Sequence, residues 1–433
     1  MKAAEAGHDV QTLMERAGRA VADEVRRRFP DARRVVAVCG RGANGGDGRV
    51  AVRLLREAGV DAEEGTDVAG ADIVIDALFG TGFAGEPREE AAALIQAVSG
   101  AGAQVVAVDV PSGVNASTGE IPGEAVRADV TVTFHGPKVG IYVAPGRFRA
   151  GEIVVADIGL ERQETAHGLV GADVLRLVPR REPGQNKYTA GSVLVVGGSP
   201  GLTGAVCLTA EAAFRADAGY VAVAAPPESL PVLETRLLEA VKRPLDDVWE
   251  AVDRARAIAI GPGLGRWPGR RELVRRLLEE TDVPAVVDAD GLHELEPFER
   301  AAPTVMTPHE GELGRLLGED SAWVAAHRLE ALSRAVERYQ CVVLLKGDDT
   351  LVGSPDGPVL VREASAPSLA TAGTGDVLTG IVAAFLAKGM EPAVAAAAAA
   401  VAQAQAAKLA PAQRGLIASD VIAALPQALE GGP

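Results

Sequence analysis

Residues 35–48 read Val35-Val36-Ala37-Val38-Cys39-Gly40-Arg41-Gly42-Ala43-Asn44-Gly45-Gly46-Asp47-Gly48. The opening apolar run is a short strand with no polar face, and it enters a glycine-rich turn. Residues 49–58 then carry helical spacing. Strand, tight turn and helix make the first half of a βαβ unit, from which parallel sheets covered on both faces are built.

The same rhythm extends outward. Residues 13–28 have apolar positions at helical spacing. Further strands are predicted at 73–77, 105–108, 130–134 and 153–156, with helix-like stretches such as 89–98 between some of them. Residues 60–67 are mostly polar and give little support for a second strand. From about 161 to 185 the rhythm breaks: the stretch is polar, holds one helix-like segment at 172–177, and contains Pro179 and Pro183. A domain boundary is placed there, giving domains over 1–165 and 170–433. The second series has strands at 192–196, 221–224, 257–260, 285–288, 305–307 and 342–345, and ends in helices from Asp376 onward. It is not a repeat of the first.

Composition narrows the function. The chain has 433 residues and a formal charge of -16. A nucleic-acid surface needs an Arg/Lys excess, so nucleic acid is not an expected partner. Cys39, Cys207 and Cys341 lie far apart, with neither metal-ligand spacing nor a disulfide framework. The opening residues do not read as a secretory leader, and a cytoplasmic location is expected. Residues 393–402 are nearly all alanine and end at Gln403. A membrane span needs about 20 apolar residues, so this is read as a buried helix and no membrane is expected. Only seven lysines stand against thirty-six arginines, and only three asparagines occur. Asn44, Asn115 and Asn186 all sit in Gly- or Ser-rich turns, and Lys138, Lys187 and Lys346 lie beside glycines at the ends of apolar runs.

Ligands of open parallel sheets bind beyond the carboxyl ends of the strands, so the residues after each strand are the candidates. Gly40, Gly42 and Gly45 match the G-x-G-x-x-G spacing, in which glycines admit a phosphate to a helix N-terminus. By itself such a turn is first of all a tight strand–helix connection, and residues 60–67 offer no clear second strand to carry the usual ribose-binding acid. The next strand ends give Asp76-Ala77-Leu78-Phe79-Gly80-Thr81-Gly82, Asp109-Val110-Pro111-Ser112-Gly113 and Phe134-His135-Gly136-Pro137-Lys138. An Asp at one strand end commonly caps the following turn. Together these bring two carboxylates and a lysine to one rim, where Asp109 and Lys138 can form an acid–base pair.

In the second half, Ala372-Gly373-Thr374-Gly375-Asp376 precedes an apolar helix. Successive N–H groups there form an anion nest, and Asp376 is either a helix cap or a base acting on a hydroxyl beside a transferring phosphoryl group. Around it come Asn186-Lys187-Tyr188-Thr189, Gly197-Gly198-Ser199, Gly261-Pro262-Gly263-Leu264-Gly265, Asp288-Ala289-Asp290-Gly291, Thr307-Pro308-His309-Glu310 and Lys346-Gly347, each beside a strand.

With these motifs in hand, residues 1–160 resemble the NAD(P)H-hydrate epimerase family, the YjeF N-terminal domain. Residues 170–430 resemble its ribokinase-like partner, the NAD(P)H-hydrate dehydratase. The resemblance implies a Rossmann-like parallel-sheet domain followed by a ribokinase-like α/β domain, and repair of hydrated NADH and NADPH by epimerisation and nucleotide-driven dehydration. It implies Asp109 and Lys138 as the catalytic pair of the first domain. Asn44, Gly45, Gly46, Asp47, Gly80, Thr81, Gly82 and Glu86 would hold the hydrated dinucleotide there, and Asn44, Asp76 and Ser112 a potassium ion. In the second domain it implies Asp376 as base. Ala205, Gly263 and His309 would contact the hydrate. Lys346, Gly347, Asp348, Asp349, Thr350, Gly373, Thr374 and Gly375 would contact ADP or ATP with magnesium. His309 alone would be read as a turn cap. Ala43 stands where the family usually has a first asparagine. A homo-oligomer is the expected assembly. Two other readings are a small-molecule kinase fused to an NAD-binding domain and a catalytically inactive nucleotide-binding sensor. The missing second-strand acid and the Asp109/Lys138 pair weigh against the first, and intact Asp109, Lys138 and Asp376 against the second.

Overall fold

The computed structural model describes residues 7–431 except Arg162, Glu164, Ala364 and Ser365. It divides into two compact units, Met1–Thr165 with Ala325–Arg328, and Ala166–Val324 with Leu329–Pro433.

In the first unit, strands β1 (Arg34–Cys39), β2 (Asp61–Glu64), β3 (Ile73–Ala77), β4 (Gln104–Val108), β5 (Val130–Phe134) and β6 (Glu152–Ala156) form one sheet in the order β2-β1-β3-β4-β5-β6. Every pairing is parallel. Alternate residues of these strands serve two cores. Val35, Ala37, Ile73, Ile75, Val106 and Val108 pack with helices α1 (Val10–Arg28) and α2 (Ala43–Glu57). Val36, Val38, Val74, Val105 and Ala107 face α3 (Glu89–Gly100). A strand buried on both faces reads as a continuous apolar run, which is why these strands are visible in sequence.

Two features differ from the sequence reading. The helix after β1 begins at Ala43, six residues before the predicted start at 49, so much of the glycine-rich turn is helical. Gly45 is there for closeness rather than flexibility: a Cβ on it would lie 1.9 Å from the Gly40 carbonyl oxygen. The polar stretch at 60–67 does contain a strand, β2, paired in parallel with β1. Only Ala62 of its four residues is buried, so this edge strand carries no apolar signature.

The second unit holds a ten-stranded sheet in the order β10-β9-β8-β11-β12-β13-β14-β15-β16-β7. Its members are β7 (His167–Val170), β8 (Ser192–Val196), β9 (Tyr220–Ala225), β10 (Val241–Pro244), β11 (Ala257–Ile260), β12 (Ala285–Val287), β13 (Thr304–Met306), β14 (Val342–Leu345), β15 (Leu351–Gly353) and β16 (Val359–Arg362). β14–β15 and β15–β16 pair antiparallel, and the rest are parallel. β7, unpredicted because all four of its residues are half-buried, closes one edge of the sheet. The core centres on α4 (Thr203–Arg215), α6 (Thr374–Ala387), α7 (Pro392–Leu409) and α8 (Ala418–Glu430). The alanine-rich α7 is buried along nearly its whole length, and small side chains let its neighbours approach closely. No helix among the described residues is long and apolar enough to cross a membrane.

Candidate active sites

In the first unit the polar groups gather beyond the carboxyl ends of β1, β3, β4 and β5. Asp76, the fourth residue of β3, is fully buried. Its Oδ1 accepts from the Ser112 hydroxyl at 2.6 Å and its Oδ2 from the Ser112 N–H at 2.8 Å. Burial pushes its pKa up to about 6, against the lowering effect of those hydrogen bonds. Asn44 donates its Nδ2 to the Phe79 carbonyl at 2.7 Å, and Phe79 N–H donates to the Ser112 hydroxyl at 2.9 Å. Asn44, Asp76 and Ser112 therefore belong to one network. Among the described residues no donor meets Asn44 Oδ1. A Cβ on Gly80 would lie 3.1 Å from that oxygen, so glycine keeps the space beside it open.

Asp109 follows β4 with φ 67°, a left-handed conformation that costs a residue with a Cβ about 1–2 kcal/mol. It is 4% exposed. Lys138 Nζ lies 2.9 Å from Asp109 Oδ1, and also reaches the Thr133 hydroxyl at 3.0 Å, the Phe134 carbonyl at 2.7 Å and the Gly136 carbonyl at 3.2 Å. The Thr133 hydroxyl donates to Asp109 Oδ1 at 2.9 Å. Thr133 thus accepts from the lysine and donates to the aspartate, and holds both in place. It was not singled out in the sequence, where it is one more residue of an apolar strand. Gly45 is buried and Gly46 and Asp47 half-buried in the first turn of α2, whereas Thr81, Gly82 and Glu86 lie on an exposed loop.

In the second unit, Gly373 starts α6 with φ 86°, which favours glycine. Among the described residues no acceptor meets the N–H groups of Thr374, Gly375 and Asp376. Three orphan donors at a helix start form a site for an anion. The Thr374 hydroxyl instead points back to the loop, 2.8 Å from the carbonyls of both Leu369 and Thr371. Buried Gln403 donates to the Thr374 carbonyl at 2.5 Å and pins the turn. The Asp376 carboxylate makes no hydrogen bond among the described residues. Burial, then the negative charge of Asp288, push its pKa up to about 7, with Lys346 opposing them.

Lys346 Nζ lies 2.7 Å from Asp288 Oδ1 and 3.6 Å from Glu312. Burial favours its neutral form, but Asp288 and Glu312 outweigh burial and hold its pKa above the usual lysine value. A Cβ on Gly375 would come within 3.4 Å of Lys346 Nζ, so the lysine stands beside the nest. The other oxygen of Asp288 accepts from the buried Thr379 hydroxyl at 2.7 Å. Thr379→Val leaves that buried oxygen without its donor and is expected to cost about 1–3 kcal/mol of stability, read as a shift in denaturant midpoint. A midpoint equal to that of wild type would show that the Thr379 bond carries no weight.

Ala205 and Gly263 meet: a Cβ on Gly263 would fall 3.1 Å from the Ala205 methyl. His309 caps α5 (Glu310–Leu317), its Nδ1 accepting from Gly311 N–H at 3.0 Å while Glu312 accepts from the His309 N–H at 2.8 Å. The histidine therefore does cap its turn, and its ring remains more than half exposed. Residues 346–350 form the β14–β15 turn. Arg362 clamps that turn by donating to the carbonyls of Gly347 (3.2 Å) and Asp348 (2.7 Å). Asp348 accepts from Ala366 N–H at 3.2 Å and Thr350 donates to the Gly347 carbonyl at 2.7 Å, so both side chains shape the turn. Asp349 is buried. Sequence reasoning gave no role to Glu312, Thr379, Gln403 or Arg362. Glu312 was detectable, since H-E-G-E places an acid at the third helical position of a capping box.

The NAD(P)H-hydrate dehydratase family matches residues 193–427, and the YjeF-related protein N-terminus matches 10–66 and 61–140. The bifunctional NAD(P)H-hydrate repair enzyme of Moorella thermoacetica is 38% identical, over 96% of this chain and 92% of its own. The Escherichia coli enzyme of the same name is 35% identical, over 97% and 89%. The ADP/ATP-dependent NAD(P)H-hydrate dehydratase of Bacillus subtilis, co-crystallised with ATP and magnesium, superposes with TM-score 0.57 at 28% identity, covering 61% of this chain and 99% of that one.

Proposed function

This chain belongs to the bifunctional NAD(P)H-hydrate repair enzymes, and from that premise we propose which of its residues perform each step. The enzyme interconverts the R and S forms of hydrated NAD(P)H and dehydrates the S form back to NAD(P)H. The observation that carries the assignment of the second step is Asp376: a carboxylate without a hydrogen-bond partner, its pKa near 7, at the mouth of a nest of three orphan N–H groups.

Dehydration is driven by ADP or ATP. Asp376 takes the proton of the ring hydroxyl, and the hydroxyl oxygen attacks the terminal phosphoryl group of the nucleotide, whose bridging P–O bond breaks to release AMP from ADP or ADP from ATP. The N–H groups of Thr374, Gly375 and Asp376, with Lys346, meet the charge on that group. The phosphorylated hydrate then loses inorganic phosphate and a ring proton, which restores the ring double bond. The backbone of residues 346–350 holds the nucleotide, and Ala205, Gly263 and His309 hold the hydrate. Magnesium, when bound with the nucleotide, neutralises phosphate charge. Both oxygens of Asp288 are engaged by Lys346 and Thr379, whereas Asp290 and Glu312 each give one oxygen to a backbone N–H, of Gly265 and of His309, and would have the other for a hydrated ion.

Epimerisation inverts the hydrated carbon by proton transfer or by opening and closing the ring, and either route needs a proton donor and an acceptor. Asp109 and Lys138 are that pair, aligned by Thr133. The glycine-rich start of α2, with Gly80, Thr81, Gly82 and Glu86, holds the dinucleotide. Ala43 leaves the network of Asn44 untouched, because the neighbouring asparagine makes the hydrogen bonds.

Asn44 Oδ1, Asp76 and Ser112 offer hard oxygen donors for potassium. Folded Asp76 binds its proton more tightly than the unfolded chain does. The stability this gives is full below pH 3.8 and is lost as pH rises through about 6. A cation on the carboxylate offsets the loss. Potassium in place of tetramethylammonium is expected to raise the melting temperature of the first unit by about 2–4 °C at pH 8, to do less at pH 5, and to tighten hydrate binding. Identical melting curves in both cations at pH 8 would remove the ion from this site.

A further inference from the structure

Strands β12, β13 and β14 lie side by side in the sheet, and Asp288, His309 and Lys346 follow their carboxyl ends. The backbone is stitched across these ends. Thr307 N–H donates to the Val287 carbonyl at 3.0 Å, and Lys346 N–H to the Pro308 carbonyl at 2.9 Å. These bonds set the strand ends in register. They do not fix the side chains of His309 and Lys346, which serve the two sides of the reaction.

One carboxylate reaches both of those residues. Glu312 Oε2 accepts from the His309 N–H at 2.8 Å and lies 3.6 Å from Lys346 Nζ. Its Oε1 lies 3.5 Å from His309 Nε2. The Glu312 side chain is only 12% exposed, against 55% for His309. The histidine is held in one tautomer. Its Nδ1 accepts from Gly311 N–H at 3.0 Å and from Glu312 N–H at 3.4 Å, so the neutral ring carries its proton on Nε2 and faces a ligand as a donor. Gly311 leaves the ring room to fold back, since a Cβ there would lie 3.1 Å from His309 Cε1.

A capping role accounts for only part of this arrangement. A glutamate at the third helical position commonly closes a capping box. Asp420 does the corresponding work at the start of α8, accepting from the Ile417 N–H at 3.0 Å, and among the described residues it makes no ion pair. Glu312 does meet a cation, and that cation is the lysine beside the nest. Lysine has a flexible four-carbon stem and three rotatable donors. The 2.7 Å ion pair with Asp288 fixes the distance of the ammonium from one oxygen and leaves it free to swing about that oxygen. A second carboxylate, carried by a different element, restrains the swing.

We propose that Glu312 is a positioning residue for dehydration: its charge holds the Lys346 ammonium at the nest while the same carboxylate holds the backbone of His309, so that hydrate and nucleotide meet in line. The proposal rests on the reading of His309 as a hydrate contact and of Lys346 as a nucleotide contact. In-line transfer depends on such alignment, and a misplacement of about 1 Å can cost a hundredfold in rate.

Glu312→Gln separates positioning from capping, because glutamine closes a capping box as glutamate does but offers no charge to Lys346. Single-turnover dehydration of the S hydrate, with enzyme in excess and saturating ADP and magnesium, is measured for this variant, for Lys346→Met and for the double variant. Glu312→Gln is expected to melt as wild type does. It should keep half-saturating concentrations of hydrate and ADP within about twofold and slow the chemical step about tenfold or more. In the Lys346→Met background the same substitution should change the rate by less than about twofold, since two changes that act through one group do not add. A wild-type rate in Glu312→Gln would leave the residue a helix cap and overturn the proposal. So would an undiminished loss on top of Lys346→Met, or a rate restored by excess magnesium, which would place the action of Glu312 on the ion. Lys346→Met as fast as wild type would instead sink the reading of Lys346 as a nucleotide contact, and the proposal with it.

Discussion

Asp376→Asn is expected to lower dehydration of the S hydrate by roughly two to four orders of magnitude, the usual worth of a general base. The substitution is nearly isosteric, and the nest beside it is backbone, so ADP affinity should stay within about twofold of wild type. The carboxylate makes no hydrogen bond whose loss would disturb the fold. In wild type the active form is the carboxylate. With its pKa near 7, kcat/KM should climb with pH up to about that value and level off above it. The climb reflects burial and the charge of Asp288, which both favour the protonated acid. Asp376→Asn should have lost this limb. Turnover close to wild type, or a variant retaining the same pH profile, would show that another group takes the proton.

Lys138→Ala is expected to abolish epimerisation while leaving dehydration intact. Removing the ammonium strips Asp109 of its 2.9 Å partner and Thr133 of its donor. Nothing in this change touches the second unit's Asp376, Lys346 or Asp288. From a mixture of hydrates with ADP, the variant should consume the S fraction at the wild-type rate and then slow to the spontaneous epimerisation rate. Asp109→Asn is the companion experiment: asparagine tolerates the left-handed backbone at this position, so its effect reports lost charge rather than strain. A Lys138→Ala progress curve that runs to completion as fast as wild type would take the epimerase away from this pair. Loss of the fast phase as well would mean that the two sites do not act independently.

The parts of this molecule legible in sequence are those with one physical cause. Strands buried on both faces, such as Ile73–Ala77 and Val342–Leu345, are apolar throughout and stand out. The nest at Gly373 is visible because the backbone there needs positive φ. Two edge strands were not visible, although a third, Glu152–Ala156, was: Asp61–Glu64 is almost wholly polar and buries one residue, and His167–Val170 buries none fully and follows a polar stretch. The start of α2 was misplaced because glycines that serve close packing look the same as glycines that serve a turn. The networks were also out of reach. Thr133, Thr379, Gln403 and Arg362 act through partners between 5 and 91 residues away, and nothing local in their neighbourhoods announces it.

Whether one chain carries both repair steps at these two sites can be read in a single mixing experiment. Wild-type enzyme is added to an equimolar mixture of R and S hydrates of NADH with ADP and potassium. Recovery of the dihydronicotinamide absorbance is followed together with released phosphate. One continuous recovery of all the ring absorbance is expected, strictly dependent on nucleotide, with one AMP and one phosphate formed per ring restored. Recovery that halts with one epimer left, or that proceeds without nucleotide, would contradict it.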